Sequence, residues 1–237
     1  MKEDLKITIG WLLLSKAVKK NLPLLGIKEP EKAWKEIRKI YKQDLGKLTE
    51  YGPGDILKMN LVHAVMLGAV YKYCRKEPDV DRMTEFYRSI FTDTPILAKG
   101  IKHIHMTDAK YQNIQKDRAL TSRNARHPYT WQFTVQDTDK DRFTAVFTRC
   151  GIRDYLTAQG MPEIVPAMCA LDYAFADMSN HLFLRKQTLA TGGHVCDCTY
   201  INKQTATEAE RRQSAQDSRD EAVRGGRTKD NNGESII

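Results

Sequence analysis

The chain has 237 residues, of which 41% are hydrophobic and 29% charged, and its formal net charge is +8. These values are typical of a globular protein, and no apolar run approaches the ~18 residues of a membrane span. We therefore expect a cytoplasmic protein with one domain over residues 1–201, helical over 1–95 and mixed over 96–201, followed by a polar tail over 202–237.

Helical spacing dominates the beginning of the chain. Trp34, Ile37 and Tyr41 recur at the interval of helix turns, and Pro30 stands where a helix can begin. Further along, Asp79 or Asp81 can cap another amphipathic run as its N-cap. This part of the chain is therefore predicted to be helical.

The stretch 56–76 is apolar on most of its sides, which predicts a buried helix. Asn60 and His63 are polar residues on this helix, and their spacing of three places them on one face. Polar groups in such surroundings need hydrogen-bond partners or a ligand. A histidine on an apolar helix is more often a hydrogen-bonded core residue than a catalytic one, so both interpretations of His63 stay open.

Strand patterns follow in the second half. "PYTWQFTVQD" alternates apolar and polar residues, and "RFTAVFT" follows it across the polar turn "DTDKD", which indicates a hairpin. Residues 152–179 are predicted to be helical again. Residues 181–189 and 195–201 are predicted to be strands joined across Gly192 and Gly193. The predicted fold class is α+β, with a helical N-terminal half packed on a small, mostly antiparallel sheet with further helices.

The tail carries one large aliphatic residue, Val223, between residues 202 and 235. It cannot bury a core of its own, so we expect it to be disordered or to form a solvent-exposed helix. On this basis, truncation after Lys203 is expected to leave folding and activity nearly unchanged.

The residues best suited to catalysis or ligand binding lie between positions 181 and 200. On a regular strand Cys196 and Cys198 point to one face and Asp197 to the other. A turn centred on Gly192 places Arg185 opposite these cysteines, and a cation beside a thiol lowers the thiol pKa. Upstream, the helical spacing of Cys169 and Asp172 puts them on one face.

Other interpretations of these residues remain. A buried cysteine is most often a small hydrophobic residue, and the two glycines can form a turn that binds nothing. A zinc site is the other alternative, although a Cys-x-Cys pair alone is weak evidence for one. Its candidate ligands are Cys169, His181, His194, Cys196 and Cys198.

The pattern "Cys169-x-x-Asp172 … His181 … Arg185-x-x-Thr188-Leu189-Ala190-x-Gly192-Gly193-x-x-Cys196-Asp197" resembles the signature of the L-2-amino-thiazoline-4-carboxylate hydrolase family. The strongest similarity covers about residues 168–200, and "KMNLVHAVMLGAVYKY" is similar more loosely. Members are bacterial and have a helical N-terminal half. Cys198 departs from the pattern, since the family usually has an aromatic residue there. This departure argues against an essential role for Cys198.

The resemblance implies a hydrolase that acts on the carbon–nitrogen bonds of a cyclic amidine and opens its ring to a carbamoyl-cysteine. We expect Cys196 to be the nucleophile, His181 the acid/base and Asp172 the anchor of the amidinium, with Cys169 as the rival nucleophile. Direct activation of water by a carboxylate and a histidine is the alternative mechanism. Asp197 matches the family motif but faces away from Cys196 on a regular strand, so we expect it either to orient a partner from behind or to lie at a bulge. The expected substrate-binding residues are Arg185, for the carboxylate, and Thr188, Asn60, Gly192 and Gly193.

The expected partner is a small anionic substrate. The basic residues are interspersed with acidic ones rather than clustered with aromatics, which argues against nucleic acid. We expect no membrane partner, no cofactor and no metal, and self-association into a homo-oligomer is left open. A non-catalytic module that binds a small molecule or zinc is the alternative function.

Overall fold

Helices surround one antiparallel sheet in the part of the chain that the structure, a computed structural model, describes: Met1 and residues 14–225. The helices are α1, described over residues 14–21, α2 (Pro30–Gly46), α3 (Lys58–Tyr73), α4 (Val80–Thr92), α5 (Pro95–Lys102), α6 (Ala109–Ser122), α7 (Gly151–Ala158), α8 (Val165–Cys169), α9 (Leu171–Met178) and α10 (Glu208–Gly225). The strands are β1 (Gln132–Gln136), β2 (Arg142–Arg149), β3 (His181–Leu184) and β4 (Cys196–Asn202). The predicted α+β class is confirmed.

The helical half is built around α3, which is buried on nearly every side and packs against α2 and α7. A helix this apolar cannot face water, and its burial is what the sequence predicted. The predicted cap of α4 is also present, because the Asp79 side chain accepts a hydrogen bond of 2.9 Å from the backbone N–H of Arg82. Within the described residues, no helix is long and apolar enough to cross a membrane.

The two predicted hairpins join into one sheet of order β1-β2-β4-β3. β4 pairs with β2 on one side and with β3 on the other, which leaves β3 at an edge. β3 ends at Leu184, five residues before its predicted end. Residues 185–195 form a loop that contains a short 3-10 turn at Leu189–Thr191. The connection is therefore a structured loop rather than a tight two-residue hairpin.

α5 and α6 lie between the helical half and the sheet, and no sequence pattern predicted them individually. On α6 the apolar pattern is inverted, since Gln112 and Gln115 are buried while Ile114 and Leu120 are exposed. The buried amide of Gln112 donates 2.6 Å and 3.2 Å hydrogen bonds to the carbonyls of Asp139 and Arg142. Hydrogen bonding thus replaces apolar burial on α6, which hides the helix from an analysis of hydrophobic spacing.

The tail prediction needs correction for the part that the structure describes. Residues Glu208–Gly225 form a helix, and this helix packs against β3 and α8 rather than standing free in solvent. Asp217 is buried at the contact. Truncation after Lys203, which was expected to change little, would remove α10 and uncover the edge of β3. Residues 226–237 lie outside the described residues.

Candidate active site

A cavity of about 310 Å³ opens between the sheet and the helices α3, α6 and α9. One wall is the face of β4 that carries Cys196, Cys198 and Tyr200, and α8 and α9 provide another. Four of the five cysteines of the chain line it, namely Cys150, Cys169, Cys196 and Cys198. The polar side chains in the lining include Asn60, His63, Gln115, Arg118, Asp172 and Arg185.

An ion pair between Arg185 and Asp172 lies in the cavity wall, with 2.6 Å between Nη1 and Oδ2. The guanidinium also donates a 2.9 Å hydrogen bond to the carbonyl of Cys169 and lies over the ring of Phe183 at 4.8 Å. Its side chain is 2% exposed, whereas that of Asp172 is 38% exposed. The arginine is therefore buried behind the carboxylate, and the carboxylate is the member of the pair that a ligand can reach.

The guanidinium of Arg185 lies beside a thiol, as the sequence predicted, and that thiol belongs to Cys198. Nη1 of Arg185 lies 4.0 Å from Sγ of Cys198. Burial nevertheless raises the pKa of the Cys198 thiol well above its ordinary value, and the cation offsets only part of that effect. Desolvation of the charged thiolate outweighs a single nearby cation at this depth.

Cys196 is held by the loop that follows β3. Its Sγ accepts a 3.2 Å hydrogen bond from the backbone N–H of Leu189 and lies 3.5 Å from Oγ1 of Thr188. Burial raises the pKa of this thiol, while the Thr188 hydroxyl, the Leu189 amide and Arg185 lower it. The pKa of Cys196 is thus raised overall, whereas the sequence led us to expect a lowered one.

Thr188, Gly192, Gly193 and Asp197 are not among the described residues that line the cavity. They shape this loop or contact its backbone. Oγ1 of Thr188 accepts a 3.2 Å hydrogen bond from the N–H of Ala190 and so caps the 3-10 turn. Gly192 has a φ of +87°, and a Cβ on Gly193 would lie 2.9 Å from the carbonyl oxygen of Thr188. Asp197 accepts a 2.8 Å hydrogen bond from the N–H of Gln187, on the face opposite Cys196. Asp197 therefore faces away from Cys196 and contacts the loop backbone, while Thr188 and the glycines shape the loop that contacts Cys196.

His181 does not join the other motif residues. It lines a separate pocket of about 280 Å³, together with His105 and Asp108. Its ring nitrogens lie 3.2 Å from Oγ of Ser179 and 3.4 Å from Oγ1 of Thr107. Burial lowers the pKa of His181. The structure therefore gives no support to His181 as the acid/base for Cys196.

Comparison with known protein families adds the decisive observation. The model of the L-2-amino-thiazoline-4-carboxylic acid hydrolase family matches residues 59–200. The chain belongs to this family. The match begins on α3, ends within β4, and thus spans the residues that line the cavity except Leu57. No curated protein and no solved structure matches the chain significantly.

Two cavity residues within the family match were undervalued by the sequence analysis. Burial lowers the pKa of His63 to about 4, so its imidazole is neutral at pH 7. No hydrogen bond joins its ring to another described residue, and its neighbour Phe91 lies 5.7 Å away, ring to ring. The spacing of Asn60 and His63 was the available signal, and both residues do line the cavity.

Arg118, on α6, is the other undervalued residue. It lines the cavity, is exposed, and forms no ion pair with any described residue. No sequence pattern marked it, because it belongs to a helix whose apolar spacing is inverted. Arg185 has its charge neutralised by Asp172, so Arg118 is the better placed of the two to receive an anion.

The described part of the chain contains no set of ligands for a metal ion. No group of three or more His, Cys, Asp or Glu side chains there is arranged to hold an ion. The cysteines that line the cavity form no disulfide, and His181 lies in the other pocket. The zinc alternative therefore gains no support from the geometry of these residues.

Proposed function

We propose that this member of the hydrolase family opens a small cyclic amidine that carries a carboxylate, of the 2-aminothiazoline-4-carboxylate class. The observation that carries the proposal is the exposed carboxylate of Asp172, which Arg185 holds in the cavity wall beside the motif cysteines. An amidinium is a planar cation with paired N–H donors, and a carboxylate binds such a group through charge-assisted hydrogen bonds. The cavity volume of about 310 Å³ suits a small molecule.

The two charges of the substrate bind at opposite walls. Asp172 receives the amidinium, and Arg118, whose guanidinium is exposed, receives the carboxylate. Arg185 was expected in the second role, but its donors are directed to Asp172 and to the Cys169 carbonyl. Its part in the proposal is to fix and charge-balance Asp172.

Cys196 is the proposed nucleophile. The amide and hydroxyl that contact its Sγ stabilise a thiolate, and the positive charge of the bound amidinium adds to that stabilisation. The thiolate adds to the carbon of the bound amidinium, and this addition neutralises both charges as the tetrahedral adduct forms. The adduct collapses by breaking the bond from that carbon to the ring sulfur, because a thiolate leaves more easily than an amine anion. Water then adds to the same carbon, and Cys196 leaves as N-carbamoylcysteine forms.

This sequence breaks a carbon–sulfur bond, whereas the resemblance led us to expect action on carbon–nitrogen bonds. The two outcomes differ in the product. Breaking the carbon–sulfur bond releases a free thiol, and breaking the ring carbon–nitrogen bond releases a free amine. A thiol-reactive dye therefore reports which bond opens.

The direct-water mechanism is the second candidate, and it needs a neutral base in the cavity. His63 meets that need, since its pKa of about 4 keeps the imidazole unprotonated. In this mechanism His63 takes the proton of a water that attacks the amidine carbon, and Cys196 forms no covalent bond.

Substitution of Cys196 tests the proposal. Cys196→Ser should lower turnover by at least about 1,000-fold, since an alcohol is far less ionised than a thiol. Cys198→Ser, one pleat along the same strand, is the matched control and should retain most activity. Turnover is measured by release of product thiol, and mass spectrometry of the quenched enzyme detects the adduct on Cys196. An active Cys196→Ser enzyme would transfer the role to Cys169 or to water activated by His63.

A wild-type protein that binds the amidine but never opens it would overturn the hydrolase proposal in favour of a non-catalytic binding module. The cytoplasmic location, the absence of nucleic-acid and membrane partners, and the state of self-association stay predictions from the sequence.

A further inference from the structure

The C-terminal helix α10 covers the open edge of β3. An edge strand presents backbone N–H and C=O groups that lack a neighbouring strand. Two side chains of α10, three residues apart, bond to such groups. Oγ of Ser214 donates a 2.8 Å hydrogen bond to the carbonyl of Phe183, and Oδ2 of Asp217 accepts a 3.1 Å hydrogen bond from the N–H of Arg185.

Asp217 is unusual for a residue on a polar helix because it is only 6% exposed. Its second carboxylate oxygen accepts a 2.6 Å hydrogen bond from Nε2 of Gln213. A buried carboxylate is costly unless hydrogen bonds satisfy its oxygens, and here both oxygens have a donor. An ion pair between Arg142 and Glu210 attaches the first turn of the same helix to the sheet. Specific polar contacts therefore contribute to the docking of α10.

Asp217 contacts the backbone of Arg185, whose side chain lines the cavity. The last ladder pair of the strands is Leu184 with Thr199, so Arg185 is the first residue beyond the β3–β4 pairing. Its side chain must nevertheless place two nitrogens at once, one on Asp172 at 2.6 Å and one on the Cys169 carbonyl at 2.9 Å. A bidentate arrangement of this kind requires a fixed backbone.

We infer that Asp217 is a positioning residue, which fixes the backbone of Arg185 and thereby the orientation of the Asp172 carboxylate toward the substrate. The inference rests on the proposed function in one respect, namely that Asp172 binds the amidinium. α10 begins beyond the residues that the family model matches, 59–200, so the contact adds to the site a residue that the family does not assign.

The first test observes the Arg185 guanidinium directly and needs no substrate. A guanidinium held by two acceptors gives resolved Nη proton resonances in ¹H–¹⁵N spectra, and Arg185→Lys assigns them by removing them. Asp217→Ala should broaden or merge these resonances. Asp217→Asn, which keeps an oxygen for the Arg185 N–H, should retain them. Gln216→Ala, on the exposed side of α10, is the matched control and should leave the spectrum unchanged.

The second test measures turnover of 2-aminothiazoline-4-carboxylate by the same variants, well below their melting temperatures. Asp217→Ala should lower kcat/KM by about 10- to 100-fold, the loss that a small misplacement of a site residue causes. Asp217→Asn should restore most of it. A merely structural role would lower the melting temperature of Asp217→Ala without changing kcat or KM of the folded protein.

Each outcome decides the inference. Unchanged Arg185 resonances in Asp217→Ala, or altered resonances with unchanged kcat/KM, overturn it. If the wild-type protein does not turn over the substrate, the proposed function fails, while the spectra still decide whether Asp217 fixes Arg185. If Asp217→Ala does not fold, Asp217→Leu fills the same space without an acceptor. Failure of both variants to fold would assign Asp217 a structural role instead.

Discussion

The two ends of β3 differ in what their side chains contact. His181 begins the strand and Arg185 follows its last residue, and strand alternation places both on one face. Arg185 reaches the cavity that holds the motif cysteines. His181 lines the other pocket, beside Asn202, its partner on β4. One face of one strand thus contributes to two separate sites.

The separation follows from strand geometry. Four residues along a strand span about 13 Å, which exceeds the reach of a hydrogen bond between the two side chains. Phe183 lies between them, is 1% exposed, and packs against the Tyr200 ring at 4.8 Å. Two residues on one face of a strand therefore belong to the same layer, but they can line different pockets. Two substitutions test this difference between the ends of β3, and a third tests the cavity that Arg185 reaches.

The largest effect is expected at the Arg185 end. Arg185→Lys keeps the charge but loses the planar fork, so the ammonium cannot hold both Asp172 and the Cys169 carbonyl. We expect turnover to fall by about 100-fold, in line with the loss of a charged hydrogen bond in a buried site. Steady-state kinetics and a melting curve measure this. A variant with wild-type turnover would show that the ion pair is not part of the site.

A smaller effect is expected across the cavity, at Arg118. Arg118→Gln should raise KM for a carboxylated amidine by about 10-fold and leave kcat nearly unchanged, because the lost interaction binds the ground state and transition state alike. The same variant should treat a decarboxylated analogue as the wild-type enzyme does. Lys116→Gln, an exposed change on α6 outside the cavity lining, is the control. An equal rise in KM for both substrates would argue against carboxylate binding by Arg118.

The smallest effect on catalysis is expected at the His181 end. His181→Gln should leave kcat and KM within experimental error of the wild-type values. It should cost about 1–2 kcal/mol of unfolding free energy, because Ser179 and Thr107 lose a buried partner. Chemical denaturation measures the second quantity. A loss of turnover as large as that of Arg185→Lys would return His181 to the active site and end the distinction between the two ends of β3.

Local patterns predicted much of the fold. The alternation around Trp131 and Phe133 predicted β1, the apolar run after Ile56 predicted α3, and Asp79 predicted the start of α4. These features depend on residues within one or two turns or pleats of each other, which is why the sequence contains them. α5 and α6 were not predicted individually, and on α6 the buried Gln112 bonds to carbonyls of a distant segment. The docking of α10 was not predicted for the same reason, because polar side chains make the hydrogen bonds that attach it.

The sequence by itself determined the family, through the ordered motif from Cys169 to Asp197, and it placed the segment around Arg185 near the two cysteines of β4 without fixing the register. Tertiary structure alone decided which motif residues share a cavity, because convergence depends on how α3, α6 and α9 pack against the sheet. It also decided the sign of the thiol pKa shifts, because burial depends on every neighbouring element, and here burial outweighs the cation that the sequence places beside the cysteines.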